Sequence, residues 1–282
     1  MSSLAYTRRG TGEPLVLLHG IGSARQAWDP VVPALAQRYD VIAVDLPGFG
    51  ESPPLPAQVE PAPAEIAGGV ARLLDELGLT APHVAGNSLG GWVALELAAI
   101  HPLASLTLLS PAGLWGRRTP RYVRVSLRVT RWMARHATGA LCRLMRYRLA
   151  RIAVLGQTHG QPARIDPAHA RTAIRAMAAG PGFEATYRAT VRRGYRAVRP
   201  VRVPVTVAFG SRDRLLLERQ ARRRDQLPAG AVLTTVPGWG HTPMADDPET
   251  VAAFIATAAR TRPRPRTGQR RPDPDGSRPG AG

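Results

Sequence analysis

Short apolar runs alternate with amphipathic stretches over the first part of the chain. Four runs have the length and composition of buried strands: residues 14–20, 39–48, 82–88 and 104–111. Between them, residues 64–78 repeat apolar positions at helical spacing, and residues 89–102 predict a second, more apolar helix. Strands joined by helices form a parallel sheet buried on both faces. We therefore predict an α/β fold with a mostly parallel, doubly wound sheet.

This pattern is interrupted once and then resumes. Residues 113–200 carry helical patterns without strand-like runs, whereas residues 203–213 and 231–241 again have the pattern of strands. A helix near residues 246–259 closes the fold. The predicted core is split in sequence and comprises residues 1–112 and 201–260. Residues 113–200 are predicted to form an inserted all-helical cap, and residues 261–282 a disordered Arg- and Pro-rich tail.

Charge, apolar segments and cysteine content limit where the protein is expected to be located and which sites it can form. The formal net charge is +18, all 38 basic residues are arginine, and residues 113–200 hold 19 of them against two acidic residues. No run of about 18 apolar residues and no apolar signal core is present, so the expected location is cytoplasmic. The single cysteine, Cys142, can form neither an internal disulfide nor a zinc site by itself. We expect no metal and no cofactor.

The stretch Gly-Asn-Ser-Leu-Gly at residues 86–90 joins a predicted strand directly to a predicted helix. This is the G-x-S-x-G pattern of a nucleophile elbow, in which the serine, here Ser88, lies at the tip of a sharp turn. Gly86 and Gly90 are expected because a Cβ at either position would collide with the neighbouring chain. The helix that follows directs its first amides towards the place where an oxyanion would form.

A serine hydroxyl needs a base, and the base needs a third group to fix its tautomer. Asp213 follows one late strand and His241 follows the last, so both are expected at the sheet edge that carries Ser88. Glu218 and Asp246 are the alternative acids. Five other histidines are poorer candidates for the base. His83 and His101 are expected to serve packing or capping, and His136, His159 and His169 lie in the insert.

The rest of the predicted site lies in loops beside Ser88. We expect the amides of Ile21 and Leu89 to bind the oxyanion, with small residues shaping the loop around Ile21. Two further residues of the same loops, His19 and Asp45, are expected to brace the backbone without doing chemistry. The predicted substrate contacts are Gly22, Asn87 and Trp115.

Four motifs together resemble the α/β-hydrolase superfamily with a helical cap: "HGIG", "DLPGFGES", "GNSLGG" and "GSRD…GHTPM". The resemblance covers roughly residues 5–259. It implies a serine hydrolase acting on a small-molecule acyl substrate, with Ser88 as nucleophile, His241 as base and Asp213 as acid. Serine at the elbow argues against the branches that use aspartate there, the haloalkane dehalogenases and epoxide hydrolases. The start of the chain departs from the family, since an antiparallel edge strand is expected to be absent.

Two alternatives to ester hydrolysis remain open. Asn87 and Gly91 resemble the carbon–carbon bond hydrolases that act on meta-cleavage products, but "IGSARQ" and Thr242 depart from that pattern. A noncatalytic binding protein on a hydrolase scaffold is the alternative from another class. Ester hydrolysis is the function we expect.

The cap carries a separate pattern of charge. Arg124, Arg128, Arg131 and Arg135 recur at helical spacing, with Val125, Val129, Trp132 and Met133 off that stripe. The expected role of the stripe is a solvated helix face. Contact with an anionic membrane surface and attraction of an anionic substrate are the alternatives. No specific nucleic-acid module is present in the sequence, and the oligomeric state is not predicted.

Overall fold

The computed structural model describes residues 4–115, 118–217, 219, 224–228 and 230–260. In that part of the chain seven strands form one sheet in the order β1-β3-β2-β4-β5-β6-β7. Their bounds are β1 Tyr6–Arg9, β2 Glu13–Leu18, β3 Tyr39–Val44, β4 His83–Asn87, β5 Ser105–Leu109, β6 Val205–Gly210 and β7 Val232–Val236. All neighbouring pairs are parallel except β1 with β3. The predicted α/β class and mostly parallel sheet are confirmed.

Helices cover both faces of this sheet. Their bounds are α1 Val32–Leu35, α2 Pro63–Glu76, α3 Leu89–Leu97, α4 Arg121–Leu144, α5 Arg148–Leu155, α6 Pro167–Ala179, α7 Phe183–Thr190 and α8 Pro248–Ala259. Alternate residues of β2 point to opposite faces, so Val16 and Leu18 join one apolar cluster with α2 and α3. Leu15 and Leu17 join a second cluster with α1 and α8. The sheet is therefore buried on both sides, as a doubly wound fold requires.

Strand β1 is an antiparallel strand at the edge of the sheet, so the expectation that such a strand is absent from the start of the chain is wrong. The hydrophobic pattern did not predict this strand. All four of its residues are exposed, so it has no alternation of buried and exposed positions to detect. It pairs antiparallel with β3, with Tyr6 opposite Val44. The Arg8 guanidinium adds hydrogen bonds of 2.9 and 2.6 Å to the Asp40 carboxylate. This strand joins the sheet because it pairs with the buried strand β3, and not because its own side chains are buried.

Helices α4 to α7 lie between β5 and β6. Helix α4 packs against α6, and a small apolar cluster fills the space beside them, including Cys142, Met145, Leu155 and Ile174. Cys142 is thus a buried packing residue. None of the helices in the described ranges is both long enough and apolar enough to cross a membrane. The predicted tail at 261–282 lies outside the described residues.

The expectation that the arginine stripe of α4 is entirely solvated is wrong at Arg131. That side chain is buried, and its guanidinium donates hydrogen bonds to the carbonyl oxygens of Met177 and Gly180, the latter at 2.9 Å. It also lies 5.1 Å from the centre of the Phe183 ring. The carbonyls at the end of α6 carry partial negative charge and attract the cation. Burial nevertheless lowers the pKa of Arg131.

Candidate active site

Ser88 lies in a sharp turn between β4 and α3. Its φ of 54° and ψ of −115° are unusual for a residue with a side chain. A Cβ at position 86 would lie 2.4 Å from the carbonyl oxygen of Gly90, and one at position 90 would lie 2.2 Å from that of Leu18. Positions 86 and 90 must therefore be glycine, as the sequence motif predicts. The turn presents the serine side chain beyond the end of the strand.

Asp213 and His241 form a buried pair at the ends of β6 and β7. The Nδ1 atom of His241 lies 2.9 Å from Oδ2 of Asp213. The other carboxylate oxygen accepts hydrogen bonds from the amides of Leu215 and Leu216, at 2.8 and 2.7 Å. Because the carboxylate accepts at Nδ1, that nitrogen carries the proton and Nε2 keeps its lone pair. The pair is thus arranged to provide a base at Nε2.

Ser88 and His241 line the same cavity, which has a volume of about 160 Å³. Asn87 ties the two loops together, since its amide nitrogen donates to the carbonyl oxygens of Leu109 and His241 at 3.0 and 2.8 Å. These two hydrogen bonds use the amide nitrogen of Asn87 and hold the His241 loop beside the elbow, whereas its Oδ1 atom accepts no hydrogen bond in the described part of the chain. Asn87 also lines the cavity, so its contact with substrate stays a prediction.

Two backbone amides near Ser88 remain available as donors. Leu89 is the first residue of α3, where an amide has no intrahelical acceptor. Ile21 lies in the loop after β2, and neither amide donates to another group in the described part of the chain. The loop approaches the elbow closely, since a Cβ at Gly20 would lie 3.2 Å from Cβ of Ser88. Ile21, Ser88 and Leu89 also line a side cavity of about 40 Å³.

Most of the larger cavity is apolar and is walled by the inserted helices. Gly22, which lines this cavity, has a φ of 68°, and a Cβ there would lie 2.5 Å from Sδ of Met177. Trp115 lines the side cavity instead, where its indole nitrogen donates to the Arg193 carbonyl at 2.9 Å. The lining residues that come from α4, α5 and α6 include Leu127, Met133, Ala134, Leu141, Val154, Leu155, Ile174 and Met177.

His19 and Asp45 brace the loops around the site, as predicted. His19 is fully buried, with Nδ1 donating to the Gly20 carbonyl at 2.8 Å and Nε2 accepting from the Leu46 amide at 3.0 Å. Burial lowers the pKa of His19 and favours this neutral form. Asp45 accepts from the amides of Arg25 and Glu51, at 2.6 and 2.9 Å. Neither side chain has a free atom to offer to substrate.

Asp246, considered above as an alternative acid, has a different set of partners. Its carboxylate accepts hydrogen bonds from the amides of Gly160 and Gln161 in the insert, at 2.7 and 2.9 Å. It also accepts from the amide of Gly240, next to His241, at 2.9 Å. It therefore fastens the inserted region to the His241 loop. The other alternative acid, Glu218, lies outside the described residues.

His159 is a second residue at this junction, and no local pattern in the sequence indicates its role. Its Nε2 lies 3.2 Å from Oγ1 of Thr242, and its Nδ1 lies 3.0 Å from Oγ1 of Thr158. Burial lowers the pKa of His159 to about 4, so the ring is neutral at pH 7. The ring lines the large cavity beside His241. Contacts between residues some 80 positions apart in the chain leave no local pattern to detect.

Within the described ranges, no cluster of three or more His, Cys, Asp or Glu side chains could hold a metal ion. The candidate site combines a strained serine, an oriented imidazole and two free amides. These are the parts of an acyl-transfer site.

Comparisons with known proteins place the chain in a family. A family model described as the alpha/beta hydrolase family matches residues 15–254. An epoxide hydrolase of Mycobacterium tuberculosis is 31% identical over 204 residues, covering 69% of this chain and 93% of that protein. A pimeloyl-[acyl-carrier protein] methyl ester esterase of Aeromonas hydrophila is 46% identical over 110 residues, 39% of this chain and 41% of that protein.

The likeness extends to solved structures. An esterase from Thermogutta terrifontis superposes with a TM-score of 0.71 at 24% identity, covering 90% of this chain and 92% of that one, which shows a shared fold. The chain spans less than half the length of the curated relatives to which it is more than 40% identical. From the family match over most of its length, the chain belongs to the alpha/beta hydrolase family of enzymes.

Proposed function

We propose that this protein is a serine hydrolase that cleaves an ester-type acyl bond of a small molecule. The observation that carries the proposal is the buried Asp213–His241 pair, whose ring opens on the same cavity as the strained Ser88. Ser88 is the nucleophile, His241 the general base and Asp213 the group that orients the imidazole. Ile21 and Leu89 supply the oxyanion donors. No cofactor is needed, because these groups supply every proton transfer.

In the first half of the reaction, Oγ of Ser88 attacks the carbonyl carbon of the ester while Nε2 of His241 takes the hydroxyl proton. The imidazolium that forms is stabilised by the Asp213 carboxylate. The negative charge on the carbonyl oxygen is met by the amides of Ile21 and Leu89. When the tetrahedral intermediate collapses, the proton on Nε2 passes to the alkoxide, which leaves as an alcohol, and Ser88 remains acylated.

In the second half, a water molecule attacks the acyl carbon and gives its proton to His241. The same two amides stabilise the second tetrahedral intermediate. Its collapse returns the proton from Nε2 to Oγ of Ser88 and releases the carboxylic acid. The bond broken is the acyl–oxygen bond formed in the first half, so the enzyme is regenerated unchanged.

We assign residues 113–200 to a cap that sets substrate choice. Helices α4, α5 and α6 supply the apolar wall above Ser88, which suits the alkyl part of an acyl ester. Gly22 brings the loop after β2 against this wall, and Trp115 lines the side cavity. A cavity of this size and apolarity favours an uncharged substrate over an anionic one.

Covalent labelling with a fluorophosphonate tests the nucleophile. The wild-type protein is expected to be labelled, and Ser88→Ala is expected to abolish labelling and ester turnover together. Ser126→Ala is the matched control, because Ser126 lines the same cavity and has no assigned part in catalysis; it is expected to be labelled normally. Labelling of Ser88→Ala at the wild-type rate would refute the assignment.

A substrate panel separates ester cleavage from carbon–carbon cleavage. Uncharged p-nitrophenyl esters of increasing chain length are expected to be hydrolysed, with one vinylogous diketone included as the rival substrate. Turnover of the diketone in preference to every ester would replace the proposed reaction. Failure to label Ser88 and failure to turn over either class would favour the noncatalytic binding protein.

A further inference from the structure

The outer face of α4 exposes large apolar side chains to solvent. Val125 is 54% exposed, Val129 49% and Trp132 61%. Their spacings of four and three residues place them on one side of the helix. We use "the outer face of α4" for these three residues together with the exposed arginines beside them, Arg121, Arg128 and Arg135.

The opposite side of the same helix lines the active-site cavity. Leu127, Thr130 and Ala134 face the space above Ser88. Helix α4 is therefore a single wall with the candidate substrate cavity on one side and an exposed apolar stripe on the other. Whatever contacts the outer face lies one helix diameter, about 10 Å, from the cavity.

The arginines determine what kind of partner fits this face. Arg121, Arg128 and Arg135 recur every seven residues, so they lie nearly above one another, along one flank of the apolar stripe. Residues 113–200 hold 19 arginines and two acidic residues. A second copy of this cap would be repelled by that charge, whereas a surface that is both apolar and anionic complements it. A lipid bilayer with anionic headgroups has both properties.

We propose that the outer face of α4 docks the protein on an anionic lipid surface. Trp132 and the two valines insert at the level of the headgroups, where an indole ring is favoured, and the three arginines pair with lipid phosphates. The helix lies in the interface plane, which brings the acyl-ester cavity close to amphiphilic molecules dissolved in the bilayer. This docking is independent of the reaction proposed above, because it uses none of the residues assigned to catalysis.

Vesicle sedimentation tests the docking directly. The full chain is expected to pellet with phosphatidylglycerol vesicles at low salt, to be released at high salt, and to remain in solution with phosphatidylcholine vesicles. Arg121→Gln, Arg128→Gln and Arg135→Gln combined should weaken partitioning about 100-fold, since each arginine near the surface contributes about fivefold. Arg38→Gln, Arg72→Gln and Arg202→Gln combined, at three exposed arginines of the core, is the charge-matched control and should partition normally.

A second variant tests the apolar part of the face. Val125→Gln, Val129→Gln and Trp132→Gln combined should lose most vesicle binding, whereas Val232→Gln, at an exposed valine on β7, should retain it. Circular dichroism and fluorophosphonate labelling report whether each variant is folded. Unchanged binding of the apolar variant would mean general attraction to polyanions, including nucleic acid, and would overturn the proposal.

Fluorescence gives a measurement that needs no destabilising change. Of the five tryptophans, Trp132 is exposed, whereas Trp28, Trp92, Trp115 and Trp239 are at most 7% exposed. Phosphatidylglycerol vesicles containing brominated lipid should therefore quench only Trp132, and Trp132→Phe should remove the quenching. Absence of quenching in the wild-type protein, or absence of binding at low salt, would also overturn the proposal. Binding that follows these expectations while Ser88 stays unlabelled would refute only the proposed reaction.

Discussion

Asp213 and Asp246 show how the partners of a side chain, and not its type, decide its role. Both carboxylates are buried beside the His241 loop, at 3% and 7% exposure. Asp213 divides its oxygens between the imidazole and two amides. Asp246 places both oxygens on amides alone, two from the insert and one next to His241. The first arrangement orients a base, and the second holds two segments of chain together.

A pair of isosteric changes should separate these roles. Asp213→Asn should lower kcat about 10⁴-fold with little loss of stability, because an amide donor at His241 Nδ1 forces the proton to Nε2. Asp246→Asn should instead lower the free energy of unfolding by about 1–3 kcal/mol, because its new NH₂ group faces backbone donors. Ester turnover and urea denaturation measure the two effects. Near-full activity of Asp213→Asn would show that another acid orients His241.

At the scale of elements, two glycines inside helices occupy opposite environments. Gly90 in α3 would place a Cβ 2.2 Å from the Leu18 carbonyl oxygen, because the elbow packs helix and sheet tightly together. Gly139 in α4 has nothing within 4 Å of its Cβ position. It lies just after Ala137, whose φ of −127° and ψ of 21° interrupt the helix. Close packing requires the first glycine, whereas no contact in the structure requires the second.

The two glycines should therefore respond in opposite directions to alanine. Gly139→Ala should raise the free energy of unfolding by about 0.5–1 kcal/mol, because alanine loses less backbone entropy in a helix. Gly90→Ala should abolish fluorophosphonate labelling and lower the melting temperature markedly. Thermal denaturation followed by circular dichroism measures both variants. A destabilised Gly139→Ala would indicate that the interruption at Ala137 depends on a flexible neighbour.

For the whole molecule, the junction between the inserted helices and the core is buried and polar. His159 of the insert contacts Thr242 of the core across this junction. Asp246 accepts hydrogen bonds from amides of the insert and of the core. Arg212 adds a hydrogen bond of 3.1 Å to the Gly160 carbonyl. These bonds hold the cap-side wall of the cavity against the His241 loop. Because His159 is buried and neutral at this junction, we expect the free energy of unfolding of the protein to depend on pH.

Acid should weaken the fold in a definite range of pH. The pKa of His159 is about 4 when folded and 6.5 in a model peptide, so the unfolded chain binds the proton first as pH falls. The free energy of unfolding should fall from pH 6.5 towards pH 4, by up to about 3 kcal/mol from this residue. His159→Gln should flatten that slope, and His136→Gln, at an exposed histidine, should not. Equal slopes in all three proteins, measured by urea denaturation, would contradict this account.

Local patterns in the sequence determined the buried elements and the order of the candidate site residues. Five strands, β2 to β6, carry apolar runs that the structure buries, and the elbow glycines follow from the space that a strand-to-helix turn leaves for a Cβ. Asp213 and His241 were identifiable because the ends of parallel strands meet at one edge of a sheet. These features depend on spacing along the chain, which the sequence contains.

Only the tertiary structure decided which surfaces meet. Helical spacing places Arg131 on a stripe with Arg128, but the carbonyls at the end of α6 bury one and leave the other exposed. It likewise groups Val125 and Trp132 without showing that nothing in the described chain covers them. Periodicity states that residues share a face; what lies against that face depends on contacts between segments distant in sequence, such as Asp246 with Gly160.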